Sequence, residues 1–435
     1  MLKRKIDARL LAWKNRENKK VLLVKGARQV GKTYAVERFA RANYEECLFI
    51  NFKETPAAAE IFSGDLNVDL MVRSMRFRYP EKKLQPGKTL IFLDEIQECA
   101  EAITSLKFWT IDGRYDVIAS GSMLGIDYKR ASSYPVGYVE YEEMFGLDFQ
   151  EFLWSQGLED SLLDELQEAF TSATPVPEAI HAAMMRYFRV FTALGGMPEV
   201  VQRYVDTGDF TEAHRTQTAI LQGYLYDIAH YAPAAEKIKA EKCFLSLGRQ
   251  LLEKENHKFQ YKEVEKGGKA EKYFSSLEWL QRANIAAGCR NVTLVRYDLA
   301  DYETEDNFRM YLTDLSLLLA MRDLHLKQEI VENSLSGNTK GGVFESAVAD
   351  ALIKKQLPLH FYKNETAKKE IDFLIQIHGE VIPIEVKSAN GKATSLNQLM
   401  KNNPEIPMAY KFIDGNMGRG ENRIITAPLY MTMFL

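Results

Sequence analysis

At 435 residues the chain is too long for one core, and its length predicts about three domains. Hydrophobic residues make up 46% and charged residues 27%, a soluble globular balance. The net charge of −4 excludes a globally basic nucleic-acid binder, so any such contact must come from a local patch. Cys47, Cys99, Cys243 and Cys289 lie far apart and form no C-x-x-C pair. A disulfide framework or a zinc site is therefore not expected, and a cytoplasmic location is. The basic start Met1-Leu2-Lys3-Arg4-Lys5 is followed by no apolar core of signal length, and no run of about 18 apolar residues is present, so no membrane contact is predicted.

In chain order, Leu2, Ile6, Leu10 and Trp13 recur at helical spacing and predict an amphipathic helix. Val21-Leu22-Leu23-Val24 reads as a buried parallel strand, and Thr33 to Ala42 as a helix. Between them Gly26-Ala27-Arg28-Gln29-Val30-Gly31-Lys32-Thr33 fits the phosphate-loop pattern G-x-x-x-x-G-K-[ST]. The two glycines let the backbone wrap an anion, and loop N–H groups face it together with the helix N-terminus. ATP is the expected ligand: Gly26, Gln29, Val30, Gly31, Lys32 and Thr33 would contact it, with Lys32 on the β- and γ-phosphates and the Thr33 hydroxyl on Mg²⁺.

A second strand is expected at Leu48–Phe52. Lys88 to Gln97 then runs four apolar residues into Asp94-Glu95, a Walker B pattern. Acids at the carboxyl end of a buried strand stand where ligands bind in open parallel sheets. Asp94 would hold Mg²⁺, directly or through water, and Glu95 would orient and deprotonate the attacking water. Tyr115 to Ser122 reads as another central strand, whose Ser120 or Ser122 could sense the γ-phosphate.

The segments 26–33, 92–97 and Ala119-Ser120-Gly121-Ser122 resemble those of a group of bacterial and archaeal AAA-type ATP-binding proteins. Residues 133–138 and 148–153 resemble that group too, as does Leu194-Gly195-Gly196-Met197-Pro198-Glu199. Many relatives carry an arginine where this chain has Tyr138. Arg130 and Arg114 are the substitutes for an arginine finger that can be named. Residues 151–232 read as helical, with a loop at Thr174-Pro175-Val176-Pro177.

From 235 to 325 three helical patterns precede two strand-like runs, Val292–Tyr297 and Phe308–Leu312. That is the order of a winged helix, which the resemblance also implies. Lys254, Lys258, Lys262, Lys266, Lys269, Lys272 and Arg282 are dense there, but five glutamates interleave with them. DNA binding and protein docking both stay open for this module. Residues 333–342, with two Gly-containing stretches, read as a linker, and Val343–Gln356 as a helix. Glu370 to Ile377 and Glu380 to Lys387 flank His378-Gly379 and predict a hairpin. Glu385 and Lys387, two apart, share one side of their strand.

Glu345, Asp372 and Glu385-Val386-Lys387 resemble the active-site set of the restriction-endonuclease-like nucleases, with Ile371 where a proline is usual. The resemblance implies that Glu345, Asp372 and Glu385 bind Mg²⁺ and that Lys387 positions or activates water for phosphodiester hydrolysis. The expected architecture is α/β: a P-loop ATPase with a parallel sheet at 1–155, a helical lid at 156–232, a winged-helix-like domain at 233–330 and a small nuclease-like α/β domain at 338–435. The expected activity is Mg²⁺-dependent ATP hydrolysis that regulates the nuclease-like domain, with DNA, RNA or a protein as partner. The alternative is a regulatory switch in which that domain is catalytically silent. Oligomeric state is not readable from the residues.

Overall fold

A computed structural model describes residues 2–122, 135–253, 258–364, 369–388 and 391–435. The chain divides into two compact units, one of Lys3–Phe145 with Arg282–Asn284, the other of Gly146–Gln281 and Ile285–Leu435 with the extreme N-terminus.

The first unit begins with α1 (Lys5–Lys14), which buries Ile6, Leu10 and Trp13 as their spacing predicts. Its sheet contains β1 (Val21–Gly26), β2 (Glu46–Asn51), β3 (Thr89–Asp94), β4 (Asp116–Ser122) and β5 (Val139–Glu143). All five strands are parallel, in the order β2-β3-β4-β1-β5. Helices α2 (Lys32–Asn43), α3 (Val68–Arg78) and α4 (Ala100–Asp112) make the crossovers. Parallel strands with covered faces need continuous apolar runs, and β3 is buried along its whole length. Leu23, Ile50, Ile91, Leu93, Val117 and Trp109 share one core. Because β4 lies between β1 and β3, the carboxyl ends of these strands bring residues 26–33, 94–95 and 120–122 to one edge.

The second unit opens with helices α5 (Phe149–Ser155), α6 (Asp160–Ser172), α7 (Glu178–Leu194), α8 (Pro198–Thr207), α9 (Phe210–Tyr231), α10 (Lys237–Glu253), α11 (Tyr261–Val264) and α12 (Ala270–Arg282). Then come β6 (Ala286–Val292), β7 (Glu303–Leu312), α13 (Leu315–Ala320), α14 (Leu324–Glu332) and α15 (Gly337–Lys354). The chain closes with β8 (Leu359–Asn364), β9 (Lys369–Ile377), β10 (Glu380–Lys387), α16 (Thr394–Asn402), β11 (Ala409–Ile413), β12 (Gly418–Arg419) and β13 (Ile424–Pro428). A buried ionic knot ties three of these segments together. Lys354 Nζ lies 2.9 Å from Asp314 and 2.8 Å from Asp350, and Asp314 accepts from the Gly196 N–H at 2.9 Å.

Two expectations differ here. Of the two strands expected to complete a separate winged helix, Phe308–Leu312 lies in β7, but Val292–Tyr297 is not a strand beyond Val292; the partner strand is β6, just before it, and β6 and β7 form an antiparallel hairpin. However, β6 also pairs in parallel with β8, so the hairpin extends an eight-stranded sheet, β12-β13-β11-β10-β9-β8-β6-β7. The open edge of the hairpin is satisfied by the C-terminal strands, which removes an unpaired edge. The expected linker at 333–342 is instead largely the first turns of α15. Gly342 sits inside that helix where a Cβ would lie 2.2 Å from the Leu251 carbonyl, so the glycine serves close packing against α10 rather than flexibility. The β9–β10 hairpin is as predicted, with Ile377 opposite Glu380 and positive φ at both His378 and Gly379, the two-residue turn that matches strand twist.

Candidate functional site

In the first unit, β1 ends at Gly26 and α2 starts at Lys32, with the loop between them at the sheet's carboxyl edge. Gly31 precedes the helix with φ 90°, and Gln29, exposed at the tip, has φ 62°. A Cβ on Gly26 would lie 2.0 Å from the Met144 carbonyl, so β5's exit presses on the loop and only glycine fits. Val30 is buried, and its carbonyl accepts from Arg4 Nη1 at 3.2 Å. Lys32 is 7% exposed, and its ammonium donates to the Gly26 and Ala27 carbonyls at 3.0 and 2.8 Å. Burial brings its pKa down to about 8, against the pull of Glu95 and Asp94. Phosphate oxygens would replace the two carbonyls as acceptors and restore the ammonium's charge.

Asp94 lies at the centre of this edge and is 2% exposed. Its Oδ2 accepts from the Thr33 hydroxyl at 2.9 Å and from Asn51 Nδ2 at 3.1 Å, and its Oδ1 accepts from the Ser120 hydroxyl. A hydroxyl and a carboxylate this close fit an octahedral Mg²⁺ that keeps several waters, because neutral donors can yield to a cation without stranding a charge. Glu95 follows with φ 50°, and its carboxylate accepts from Gln97 Nε2. The left-handed turn re-aims Glu95 away from the buried strand direction. Ser122 Oγ is buried, with no hydrogen-bond partner among the described residues.

Asn51 and Gln97 were not legible as site residues. Asn51 reaches Asp94 because β2 pairs β3 in a register that sets those two residues side by side, and strand order cannot be read from one strand. Arg114 precedes β4, at the opposite end of the strand from the loop, and pairs with Asp69 and Asp112 at 2.7 Å, so it is no finger for this site. Arg130 lies outside the described residues.

In the second unit, the β9–β10 hairpin brings Asp372 and Glu385 together. Asp372 Oδ2 accepts from the Val386 N–H at 2.8 Å, and Lys387 Nζ lies 2.5 Å from Glu385 Oε1. Burial and the neighbouring Glu385 and Glu345 carboxylates push Asp372 up to about 8. Glu385 is also raised, by burial that outweighs the Lys387 partner. Against the burial that would lower it, Glu385 and Asp372 hold the Lys387 ammonium up. Glu385 Oε2 is buried, without a hydrogen-bond partner among the described residues.

Glu345 departs from the expected metal set. Its Oε1 accepts from Arg309 Nη1 at 3.0 Å and from the Tyr311 hydroxyl. Arg309, 1% exposed on β7, also donates to the Asp372 carbonyl at 3.2 Å and pairs with Glu370. Among the described residues no group of three or more His, Cys, Asp or Glu side chains is placed to hold a metal ion. The physical reason is that a guanidinium already neutralises Glu345. Asp372 and Glu385 by themselves still fit a Mg²⁺ ion. The paired strands β9 and β10 set them next to each other, Glu385 Oε2 has no hydrogen-bond partner among the described residues, and one or two carboxylates are what such an ion needs from protein. Arg309 was missed in the sequence because its segment read as part of another domain.

With this geometry in place, the AAA domain family matches residues 18–153. The parallel five-stranded sheet and the loop of the first unit fit an AAA-type P-loop fold. Two domains of unknown function match further on, DUF8612 at residues 185–328 and DUF4143 at 340–430. No curated protein matches the sequence. Among solved structures, the Aeropyrum pernix ORC1 protein in complex with DNA aligns at 10% identity and TM-score 0.28, covering 77% of this chain and 93% of that one. AMPPCP-bound DnaA from Aquifex aeolicus aligns at 12% identity and TM-score 0.28, covering 64% and 85%. Drosophila ORC bound to DNA aligns at 13% identity and TM-score 0.26, covering 75% and 93%. Overlaps this loose carry no argument about this chain. Among the described residues no helix is long and apolar enough to cross a membrane.

Proposed function

We propose that this protein hydrolyses ATP with Mg²⁺ and that its nucleotide cycle regulates a nuclease-like, nucleic-acid-acting C-terminal region. The observation that carries the ATPase reading is the convergence of Thr33, Asn51 and Ser120 on Asp94, with Glu95 adjacent. Loop N–H groups and Lys32 would bind and orient the phosphates, and Lys32 would answer the charge that builds on the γ-phosphoryl oxygens. Thr33 and Asp94 would hold Mg²⁺, which supplies charge neutralisation across the β- and γ-phosphates when bound. Glu95 would take the proton of the attacking water, with Gln97 holding the carboxylate in place. Ser120 would report the γ-phosphate through its bond to Asp94.

In the C-terminal region, Asp372 and Glu385 would hold a divalent ion that lowers the barrier to water attack on a phosphodiester. Lys387 would orient that water or steady the developing charge. The second reading, a switch whose nuclease-like fold is catalytically silent and binds a partner, is favoured by one observation: Arg309 occupies Glu345. The test is metal-dependent cleavage of single- and double-stranded DNA and RNA, with and without ATP, for wild type and Lys387→Ala. Cleavage that Lys387→Ala abolishes supports a nuclease, and ATP dependence supports the coupling. A wild type that turns over ATP yet cleaves nothing leaves the switch.

A further inference from the structure

Strands β10, β11 and β13 run parallel, and their register sets Glu385 beside Lys411 and Lys411 beside Thr426. Side chains in one row across a sheet share a face, and Lys387, two residues beyond Glu385, lies on it too. Helix α16 covers part of that face. Its Leu396, Leu399 and Met400 pack in one core with Val381, Ala409 and Ile424. Beyond this contact the helix and the sheet part around a cleft of about 630 Å³, the scale of a ligand site. Lys392, Asn397, Gln398, Lys401, Lys411 and Thr426 line it, and Glu421 is its acid.

Lys392 and Lys401 are exposed, and Lys411 is half-buried. Among the described residues none of the three ammonium groups has an ion-pair or hydrogen-bond partner. Two other lysines of this unit show the contrast: Lys340 pairs with Asp414, and Lys354 with Asp314 and Asp350. Three ammonium groups without such a partner and the Gln398 amide, set against one carboxylate in a concave site, favour a ligand with several negative charges in series.

We propose that this cleft binds one strand of a nucleic acid by its phosphates and leads it to Asp372, Glu385 and Lys387. The proposal rests on the nuclease-like reading, because the row Glu385–Lys411–Thr426 joins the cleft to that cluster on one sheet face. A phosphate chain in the cleft places its next phosphodiester toward Glu385 and Lys387. The lysines position the strand and take no part in bond breaking.

The test measures binding of labelled single-stranded DNA and RNA of one sequence to the full chain in EDTA, across a salt series. Wild type is compared with Lys392→Ala/Lys401→Ala/Lys411→Gln and with the matched triple Lys→Arg variant. Expected is a loss of at least about tenfold in affinity, a log–log salt slope shallower by about 2, and recovery in the arginine variant, since each lost single-strand phosphate contact removes roughly 0.7 from the slope. The DNA and RNA arms identify which strand is preferred. Unchanged binding in the neutral triple, or no binding of either strand by wild type, overturns the cleft. Lost binding in the triple together with no cleavage by wild type keeps the cleft and removes the nuclease reading. Cleavage by wild type that the triple retains at full affinity does the reverse.

Discussion

Asp94 and Asp372 are both enclosed carboxylates beside a lysine, and they are held in opposite ways. Around Asp94 the donors are neutral: two hydroxyls and an amide. Around Asp372 and Glu385 the neighbours are charged, with Arg309 and Lys387 facing four carboxylates, Glu345, Glu370, Asp372 and Glu385, and among the described residues one Glu385 oxygen lacks a donor. A ring of neutral donors can exchange ligands with little electrostatic cost, which suits a cycle of binding and release. A ring of charges stores its own balance, and removing any one leaves a buried ion unpaired. On the proposed function, the first arrangement suits repeated exchange of nucleotide and cation, and the second suits a site that stays intact until a cation or phosphate changes its balance.

The largest effect expected from breaking this contrast is on hydrolysis. Glu95→Gln should bind ATP normally and hydrolyse it about 10²- to 10⁴-fold more slowly, the usual worth of a general base. Near-normal turnover by that variant would move the base elsewhere. On the charged side, Arg309→Met should strand Glu345 and cost roughly 3–5 kcal/mol, a fall in melting temperature on the order of 10 °C. A fall of only a degree or two would mean that the arginine does not balance the acids.

Lys32→Ala should weaken ATP binding by about 10²-fold, because it removes a buried charge-assisted contact. Lys32 also sets a pH window. Its folded pKa, about 8, lies below the unfolded value, so the unfolded chain holds more protons above pH 8. Without nucleotide, this residue's contribution therefore makes the protein more stable as pH rises from 8 toward about 10.4. ATP restores the charge, so its binding should take up a proton near pH 8–9 and weaken by up to about tenfold per unit above it. Calorimetric titration in buffers of different ionisation heat reads both, and an affinity flat from pH 7 to 10 would contradict the assignment. The smallest effect is at Asn51. Asn51→Ala leaves Asp94 two other donors and should cost about 1 kcal/mol, a several-fold rise in the Mg²⁺ concentration needed for turnover.

Much of the nucleotide edge was legible because it is local. A strand, a loop of fixed spacing and a helix N-terminus position residues 26–33 within one stretch of chain, and Asp94-Glu95 at a strand's end needs only that strand. Asn51 was hidden because it depends on which strand lies beside β3. At the second cluster the hairpin was equally local, and its turn at His378-Gly379 follows from backbone preference. Glu345 read as a metal ligand only through the resemblance to the nuclease set, and its capture by Arg309 required β7 to lie in the same sheet as β9 and β10. Gly341-Gly342 read as a linker because glycine signals flexibility in sequence, whereas here one of the pair admits a neighbouring helix.

The sequence by itself determined the phosphate loop, the Walker B acids, the hairpin and the alternation that puts Glu385 and Lys387 on one side. Each depends on dihedral preference and periodicity over a few residues. Only the tertiary structure decided that β6 and β7 extend the C-terminal sheet, that Arg309 meets Glu345, and that Lys411 stands beside Glu385. Those are contacts between segments 26 to 36 residues or more apart, chosen by strand pairing and by the need to cover an edge and balance buried charge.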